Sequence, residues 1–312
     1  MTWLLPDRRK WVVVLALLAA YGVGGYTWRR MATRLPPPPR EAPAPVGTIE
    51  QVADHLWMIP GGGGNTAVFE TATGVVVVDP KFPQFGAAVV EQVRRVTATP
   101  ITHAIATHSH NDHFGGIVAL PPTVQVVMHR QAAINVARLR GTGDPNRFEG
   151  RPVTTFEDRL TLFDGPDAVD LYFFGPAHTN GDVVVVFRAA GVMHAGDLFR
   201  AKRNPNINLP WGGSPAEFPA TLQRTIDAVP GVSRVITGHS TVVGWQDFVE
   251  YSRFVNLLVR HVRSEKDAGR PWNVAMRSFR PPPEFSDYDL STLFGTVQDI
   301  YKGLTPWWNV WE

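Results

Sequence analysis

The 312-residue sequence contains no cysteine. Disulfides, thiol nucleophiles and thiolate metal ligands are therefore excluded by composition alone. The absence is compatible with an oxidising compartment without requiring one. Charge is scarce and nearly balanced, at 19% Asp, Glu, Lys and Arg with a formal net charge of +2. Residues 1–40 hold seven of the 30 Lys and Arg with Asp7 as their one acid, which leaves 23 basic against 27 acidic residues in 41–312. A nucleic-acid surface needs a basic patch, and only Arg200-Ala201-Lys202-Arg203 is dense. No nucleic-acid partner is expected. The glycine run Gly61 to Gly64 is followed by no Lys-Ser or Lys-Thr pair, so it is not a phosphate-cradling loop.

What is present is an apolar chain, 44% hydrophobic, of a length suited to one large domain. Arg8-Arg9-Lys10 precedes an acid-free apolar stretch from Trp11 to Trp28 that ends at Arg29-Arg30. As a helix this stretch spans roughly 27 Å, close to a bilayer core of ~30 Å, with aromatic residues at both ends. The expectation is a membrane anchor or signal segment over residues 1–34. An uncleaved anchor is favoured over a cleaved signal peptide, because Ala20-Tyr21-Gly22 is the best small-residue cleavage site on offer. Basic residues flank both sides, so charge does not fix orientation. A faint twin-arginine pattern in Asp7 to Val12 agrees with an exported or membrane-anchored protein whose catalytic domain is extracytoplasmic. Residues 35–47 then form a proline-rich spacer.

From residue 48 to 312 the pattern reads as one domain. Strands are expected at Ile49–Val52, Leu56–Ile59, Ala67–Glu70, Val75–Val78, Ile101–Thr107, Val124–Met128, Val169–Phe174, Val183–Phe187, Gly191–Ala195 and Arg234–Ile236. Helices are expected at Phe85–Thr97, Phe114–Val118, Gln131–Leu139, Phe218–Val229, Gln246–Asp267 and Asp289–Lys302. Such alternation indicates a layered α/β fold. Gly61–Gly64 reads as a flexible hairpin turn or a flap on the substrate side. Residues 141–150 read as a polar loop at a pocket rim or on the surface, and Trp307, Trp308 and Trp311 close the chain.

Thr107-His108-Ser109-His110-Asn111-Asp112-His113 is the densest chemistry in the chain. Alternate side chains of an extended segment point the same way, so His108, His110 and Asp112 converge on one side while His113 comes from the other. Imidazole suits zinc and related ions, and a carboxylate beside it adds a hard oxygen ligand. Three more candidates follow strands: His178 in Gly-Pro-Ala-His-Thr, Asp197 in His-Ala-Gly-Asp-Leu and His239 in Thr-Gly-His-Ser. His55, His103, His129, His194 and His261 lack that setting and read as structural or surface residues, with His194 nearest the candidate ligands in kind.

Through His108, His110, Asp112 and His113, and then His178, Asp197 and His239, the chain resembles the metallo-β-lactamase fold superfamily from about Val46 to His239. The resemblance implies an αββα four-layer sandwich. It implies two zinc ions, with iron or manganese as substitutes. His108, His110 and His178 would hold the first ion and Asp112, His113 and His239 the second, with Asp197 between them. Asp79, ending the four-valine strand, would support the histidines from behind, although Pro80-Lys81 departs from the usual small residue and glycine. A bridging hydroxide would be the nucleophile, oriented by Asp112, which would also carry the proton to the leaving group.

An Asp at position 197 resembles thioesterases, lactonases and phosphodiesterases of the superfamily, where its β-lactamases generally carry cysteine or a residue that is not a ligand. The small-molecule substrate implied is an acyl ester, lactone or thioester. Phosphodiester and β-lactam cleavage are alternatives on the same site. An iron-dependent oxidoreductase and a membrane-tethered protein holding metal without turnover are the readings from other classes. The loop Asn204–Pro215 is expected to overhang the metals, with Arg200 and Trp211 contacting substrate.

Overall fold

Valine-rich strands buried on both faces set the architecture. The computed structural model describes residues 44–138 and 150–304, which belong to the unit Pro43–Glu312. One seven-stranded sheet takes β1 (Glu50–Ala53), β2 (Leu56–Ile59), β3 (Thr66–Thr71), β4 (Gly74–Val78), β5 (Ile101–Ala106), β6 (Gln125–His129) and β7 (Val153–Phe156) in sequence order. A six-stranded sheet takes β8 (Arg159–Leu162), β9 (Val169–Phe173), β10 (Val183–Phe187), β11 (Val192–His194), β12 (Arg234–Ile236) and β13 (Val242–Gly244), again in order. Helices α1 (Gly86–Val96), α2 (Asn111–Phe114), α3 (Arg130–Arg138), α4 (Phe218–Ala228), α5 (Trp245–Asp267), α6 (Trp272–Ser278) and α7 (Leu293–Gly303) complete the described regular structure, apart from short 3-10 turns.

Side-chain alternation makes the layers. Along β4, Val76 and Val78 enter the core between the sheets, whereas Val75 and Val77 meet Val89 and Val93 of α1 on the outer face. Along β10, Val183, Val185 and Phe187 face the same inter-sheet core, and Val184 and Val186 pack with Phe248, Tyr251 and Val255 of α5. Continuous apolar strands are what sheets covered on both faces require. A one-residue register slip would exchange the two faces and lose both cores. The result is helix, sheet, sheet, helix.

Strand direction explains where the chemistry falls. β4 and β5 are parallel, as are β11 and β12, while β9 and β11 both run antiparallel to β10. Asp79, the 107–113 loop, His178, Asp197 and His239 follow the carboxyl ends of β4, β5, β9, β11 and β12. In layered α/β folds that is the end at which ligands collect.

Several expectations are corrected. β7, β8, β13 and α6 were not read from the sequence; β8 does alternate, with Leu160 and Leu162 toward the inter-sheet core, but over only four residues. The helix expected from Phe114 divides into the turn α2 and a 3-10 segment, Gly115–Ala119. Residues 44–47, taken as the end of a spacer, are pinned to the domain: Gly62 N–H donates to Ala44 O at 2.9 Å and Gly47 N–H to Pro60 O at 2.8 Å. The membrane segment of residues 1–34, most of the linker, the greater part of the 141–150 loop and the closing tryptophans lie outside the described residues. Among the described residues no helix is long and apolar enough to cross a membrane.

Candidate metal centre

The structure brings all seven candidate ligands together in two adjoining groups. His108, His110, His178 and Asp197 form one, and Asp112, His113 and His239 the other; within each group the offered atoms lie within 4.8 Å of one another. His110 Nδ1 stands 3.0 Å from His108 Nε2 and 2.9 Å from His178 Nε2. In the second group His113 Nε2 and His239 Nε2 are 3.2 Å apart, and Asp112 Oδ2 lies 3.3 Å from His239 Nε2. Asp197 joins the two, with Oδ2 at 3.6 Å from His178 Nε2 and Oδ1 at 3.3 Å and 3.1 Å from His113 and His239 Nε2.

The back of this cluster is fully dressed. Asp79 Oδ1 accepts from Thr107 N–H at 2.7 Å, and its Oδ2 accepts from Thr107 Oγ1 and from His113 Nδ1, both at 2.7 Å. His178 Nδ1 donates to the carbonyl of Asn206 at 2.8 Å. With the outer nitrogen of His113 and His178 engaged as a donor, the inner Nε2 of each is the atom turned to the gap.

Whether the gap fits cations is decided by groups left wanting. Asp197 Oδ1 is buried with no hydrogen bond of good geometry, despite two imidazole nitrogens near 3 Å. Buried orphan acceptors are rare. Burial and the neighbouring imidazoles hold His108 well below its ordinary range, and burial with His178 pushes His110 down to about 3, so both stay neutral and ready to ligate. Burial opposes a charge on His113, yet Asp112, Asp79 and Asp197 outweigh it and hold the ring well above its ordinary value. Burial likewise opposes charge on Asp197, and His239 and His113 overcome it and keep the carboxyl ionised. Three carboxylates around one buried ring make a site whose charge metal cations would balance. The nitrogen and oxygen donor set suits zinc and its neighbours.

Access is one-sided. His108, His113 and His178 are buried, whereas His110, Asp112 and His239 reach the surface, with His239 33% and Asp112 23% exposed at the side chain. A substrate therefore approaches over those three.

The glycine run is part of this wall and not a mobile flap. Gly64 N–H donates to Asp112 O at 2.9 Å, and a Cβ on Gly64 would lie 2.4 Å from the His113 ring. Gly238 is equally constrained, because its Cβ would fall 2.1 Å from Asp197 Oδ1. Lys81 fastens the run from behind. Fully buried at a left-handed φ of 72°, it donates from Nζ to Ile59 O at 2.7 Å and to Gly64 O at 2.9 Å.

Of the two proposed substrate contacts, the Trp211 ring meets His110 edge-on with centroids 5.7 Å apart. Arg200 donates to Asn204 O at 3.2 Å and so braces the loop. Its basic neighbours are paired, Lys202 with Asp287 at 2.6 Å and Arg203 with Asp289 at 2.8 Å. His194 is buried behind the cluster and bonds Asn65 O at 2.9 Å; His129 stacks on Phe173, His261 bonds Ala275 O, His103 packs on Phe163 and His55 faces Glu70. Sequence reading missed Asn65, whose amide donates to Thr237 O at 2.9 Å and to Ser240 O, tying down the His239 loop. It also missed Asn208, whose amide nitrogen lies 2.8 Å from His110 Nε2. The available signal was position: Asn65 ends the glycine run, and Asn208 lies in the Asn-Pro-Asn-Ile-Asn segment of the overhanging loop.

Two sheets back to back, with a paired histidine and aspartate cluster at one edge, define a metal-binding hydrolase scaffold. Comparison with known proteins agrees. The family model of the metallo-beta-lactamase superfamily matches residues 59–239, and the chain belongs to that superfamily of metal-dependent hydrolases. A metallo-beta-lactamase type 2 of Elizabethkingia meningoseptica is 22% identical over 275 residues, 84% of this chain and 99% of that one. Another from Bacillus sp. (strain 170) is 22% identical over 62% of this chain and 77% of its own. Among solved structures, a metallo-beta-lactamase from Pontibacter korlensis superposes with a TM-score of 0.56 at 20% identity, covering 68% of this chain and 99% of that chain. The stereoselective inverting sec-alkylsulfatase Pisa1 from Pseudomonas sp. gives 0.69 at 13% identity over 83% of this chain and 51% of its own. At these identities the structural likeness speaks for the fold.

Proposed function

We propose that this protein is a dinuclear zinc hydrolase of acyl esters, lactones or thioesters. The observation that carries the reading is Asp197, whose two carboxylate oxygens face the two ligand groups separately. His108, His110 and His178 would hold one ion and Asp112, His113 and His239 the other, with Asp197 shared. Bound ions of this kind supply Lewis acidity and a nucleophilic water at neutral pH. The chain's own groups supply the rest. Asp112, partly exposed with Oδ2 beside His239, would hold a proton at the open side of the site and carry it toward the leaving group. His113, locked through Asp79, keeps the floor of the site fixed while the open side receives substrate. Trp211 lies against His110, where an apolar acyl chain would rest, and Arg200 holds the loop that carries it.

A β-lactam amide is the second reading, favoured by the names of the relatives at 22% identity. Against it stands Asp197, at a position where the β-lactamases of the superfamily generally carry cysteine or a residue that is not a ligand. The apolar run before Trp28 supports attachment to a membrane or export, and the faint twin-arginine pattern ahead of it favours an extracytoplasmic domain.

The test is elemental analysis of the full-length chain beside Asp197→Ala and His239→Ala, followed by an ester, lactone, thioester, phosphodiester and β-lactam panel. About two zinc per chain, falling by roughly one in His239→Ala, is expected. One iron per chain, or no stoichiometric metal, would overturn the proposal in favour of redox chemistry or a non-catalytic role.

A further inference from the structure

Two large aromatic side chains border the exposed candidate ligands, one beside each group. Trp211 meets His110 edge-on, with centroids 5.7 Å apart. Phe82 lies against Asp112: its Cδ2 and the Asp112 Cβ each stand 3.1 Å from the point that a Cβ on Gly63 would occupy, so at most twice that distance separates them. Gly63 makes this approach possible, at a φ of 112° that suits glycine and strains other residues. Neither ring fills a core. Among the described residues, Phe82 and Trp211 are both half-buried, and neither belongs to a core cluster. The Phe82 backbone is nonetheless fixed. Its N–H donates to Gly62 O at 3.4 Å, the carbonyl of Lys81 before it accepts from Gly116 N–H at 2.8 Å, and Pro83 after it opens the 3-10 turn Pro83–Phe85. A ring held in this way binds an apolar group at a small cost in ordering.

His110 and Asp112 belong to different ligand groups, so the two rings mark opposite ends of a molecule that spans the cluster. With the acyl chain resting on Trp211, the other half of the substrate extends toward Asp112. Hydrolysis divides water between the halves: its oxygen goes to the acyl carbon as the C–O or C–S bond breaks, and a proton reaches the departing atom by way of Asp112. That atom must come within hydrogen-bond reach of the Asp112 carboxyl, which brings the carbon skeleton attached to it beside Phe82. Gly61 to Gly64, next to the ring, add no charged side chain that would favour an ionic group. We infer that Phe82 forms a subsite for the leaving group, and that the substrate is an ester or thioester apolar on both sides of the scissile bond, with an aryl or alkyl alcohol or thiol as its departing half.

This inference rests on the acyl-hydrolase reading, and its test separates the two. Benzyl acetate varies the departing half and methyl octanoate the acyl half, each against methyl acetate, for full-length wild type, Phe82→Ala, Phe82→Leu and Trp211→Ala. In Phe82→Ala, KM for benzyl acetate should rise about tenfold with kcat within about twofold, the pattern of lost uniform binding, and KM for methyl octanoate should stay within about threefold. Trp211→Ala should show the opposite preference, and Phe82→Leu, which keeps an apolar side chain, should recover most of the loss. Binding is read apart from turnover by 19F NMR titration of 4-fluorobenzyl alcohol, the departing half alone. Phe82→Ala should bind it about tenfold more weakly than wild type, and Trp211→Ala about as well as wild type. Equal losses on both esters in Phe82→Ala, or an alcohol affinity equal to wild type, would reduce Phe82 to a packing residue and overturn the inference while sparing the acyl-hydrolase reading. A wild type that cleaves no ester or thioester would overturn that reading and the leaving-group role with it.

Discussion

His113 donates from Nδ1 to Asp79 Oδ2 at 2.7 Å, and both side chains are wholly removed from solvent. Asp79 itself stands at a left-handed φ of 55° at the end of β4, where its carboxylate also takes both protons that Thr107 can give. A non-glycine residue in that conformation carries strain of order 1–3 kcal/mol. It persists because three donors from the neighbouring loop converge on one carboxylate. The ring is thereby held in plane, with Nε2 facing His239 and Asp197.

Asp79→Asn keeps the shape and removes the charge. The expected outcome is zinc binding weakened by about 10–100-fold at the equivalent held by His113, since outer carboxylates that orient a ligating histidine are worth that much. Asp79→Ala should also lower stability by about 3–5 kcal/mol, because it strands a buried imidazolium and two buried donors. Chelator competition and denaturant unfolding of the apo protein check the two effects separately. Metal affinity in Asp79→Asn equal to wild type would remove Asp79 from the account of the site.

Gly64→Ala tests the packing of the glycine run. A methyl group there would lie 2.4 Å from His113 Cε1 and 2.6 Å from Nδ1, in a wall fixed by the Asp112 carbonyl. Overpacking of this kind costs typically about 1–3 kcal/mol, and the ring that must yield is a candidate ligand, so weaker metal uptake should accompany the loss. Gly295→Ala is the control, since it lies within α7 with nothing within 4 Å of its Cβ. It should be neutral or stabilise by up to ~1 kcal/mol. If thermal unfolding shows Gly64→Ala as tolerant as Gly295→Ala, the run is a free loop after all.

Much of this site was legible in the linear sequence because its chemistry is local: three histidines and an aspartate within six positions have no use in a turn, and the strands ahead of His178, Asp197 and His239 are plain apolar runs. The ranges of β2, β10 and β12 agree with the sequence reading to the residue for the same reason. What stayed hidden depends on distant partners. Asn65 looks like a turn residue until Thr237 and Ser240, over 170 positions away, supply its acceptors. The glycine run reads as flexibility because glycine allows both freedom and close approach, and only the position of His113 decides between them. The short β7, β8 and β13 owe their pairing to the sheet edge they join, which composition does not display.

Trp211→Ala tests the proposed acyl contact. The ring is half-buried beside His110 and donates nothing to the ligand set, so its loss should leave zinc stoichiometry unchanged. For esters with a long acyl chain KM should rise about tenfold, equivalent to about 1.4 kcal/mol, with little change for acetyl esters. Equal effects on long and short chains would mean that the tryptophan shapes the loop and not the substrate.

Lys81 gives the pH dependence of the apo fold a defined sign. Burial lowers its ammonium to about 7, against a partial counteraction by Asp79, whereas in the unfolded chain it returns to 10.5. Between these values the unfolded state holds a proton that the folded state lacks, so stability rises with pH from about 7 to 10.5 and levels off above. Below pH 7 the folded protein carries the full cost of a buried cation whose observed acceptors are the carbonyls of Ile59 and Gly64. The neutral amine still has two protons for those two carbonyls, so deprotonation removes the cost without freeing the glycine run. Lys81→Met preserves the left-handed backbone and its strain while removing the titration. Urea unfolding of metal-stripped protein should therefore show wild type gaining on Lys81→Met as pH climbs from 7 to 10, by at most ~1.4 kcal/mol per pH unit. Parallel curves for the two proteins would show that Lys81 titrates alike in the folded and unfolded chain, and that its amine is not held as the buried geometry demands.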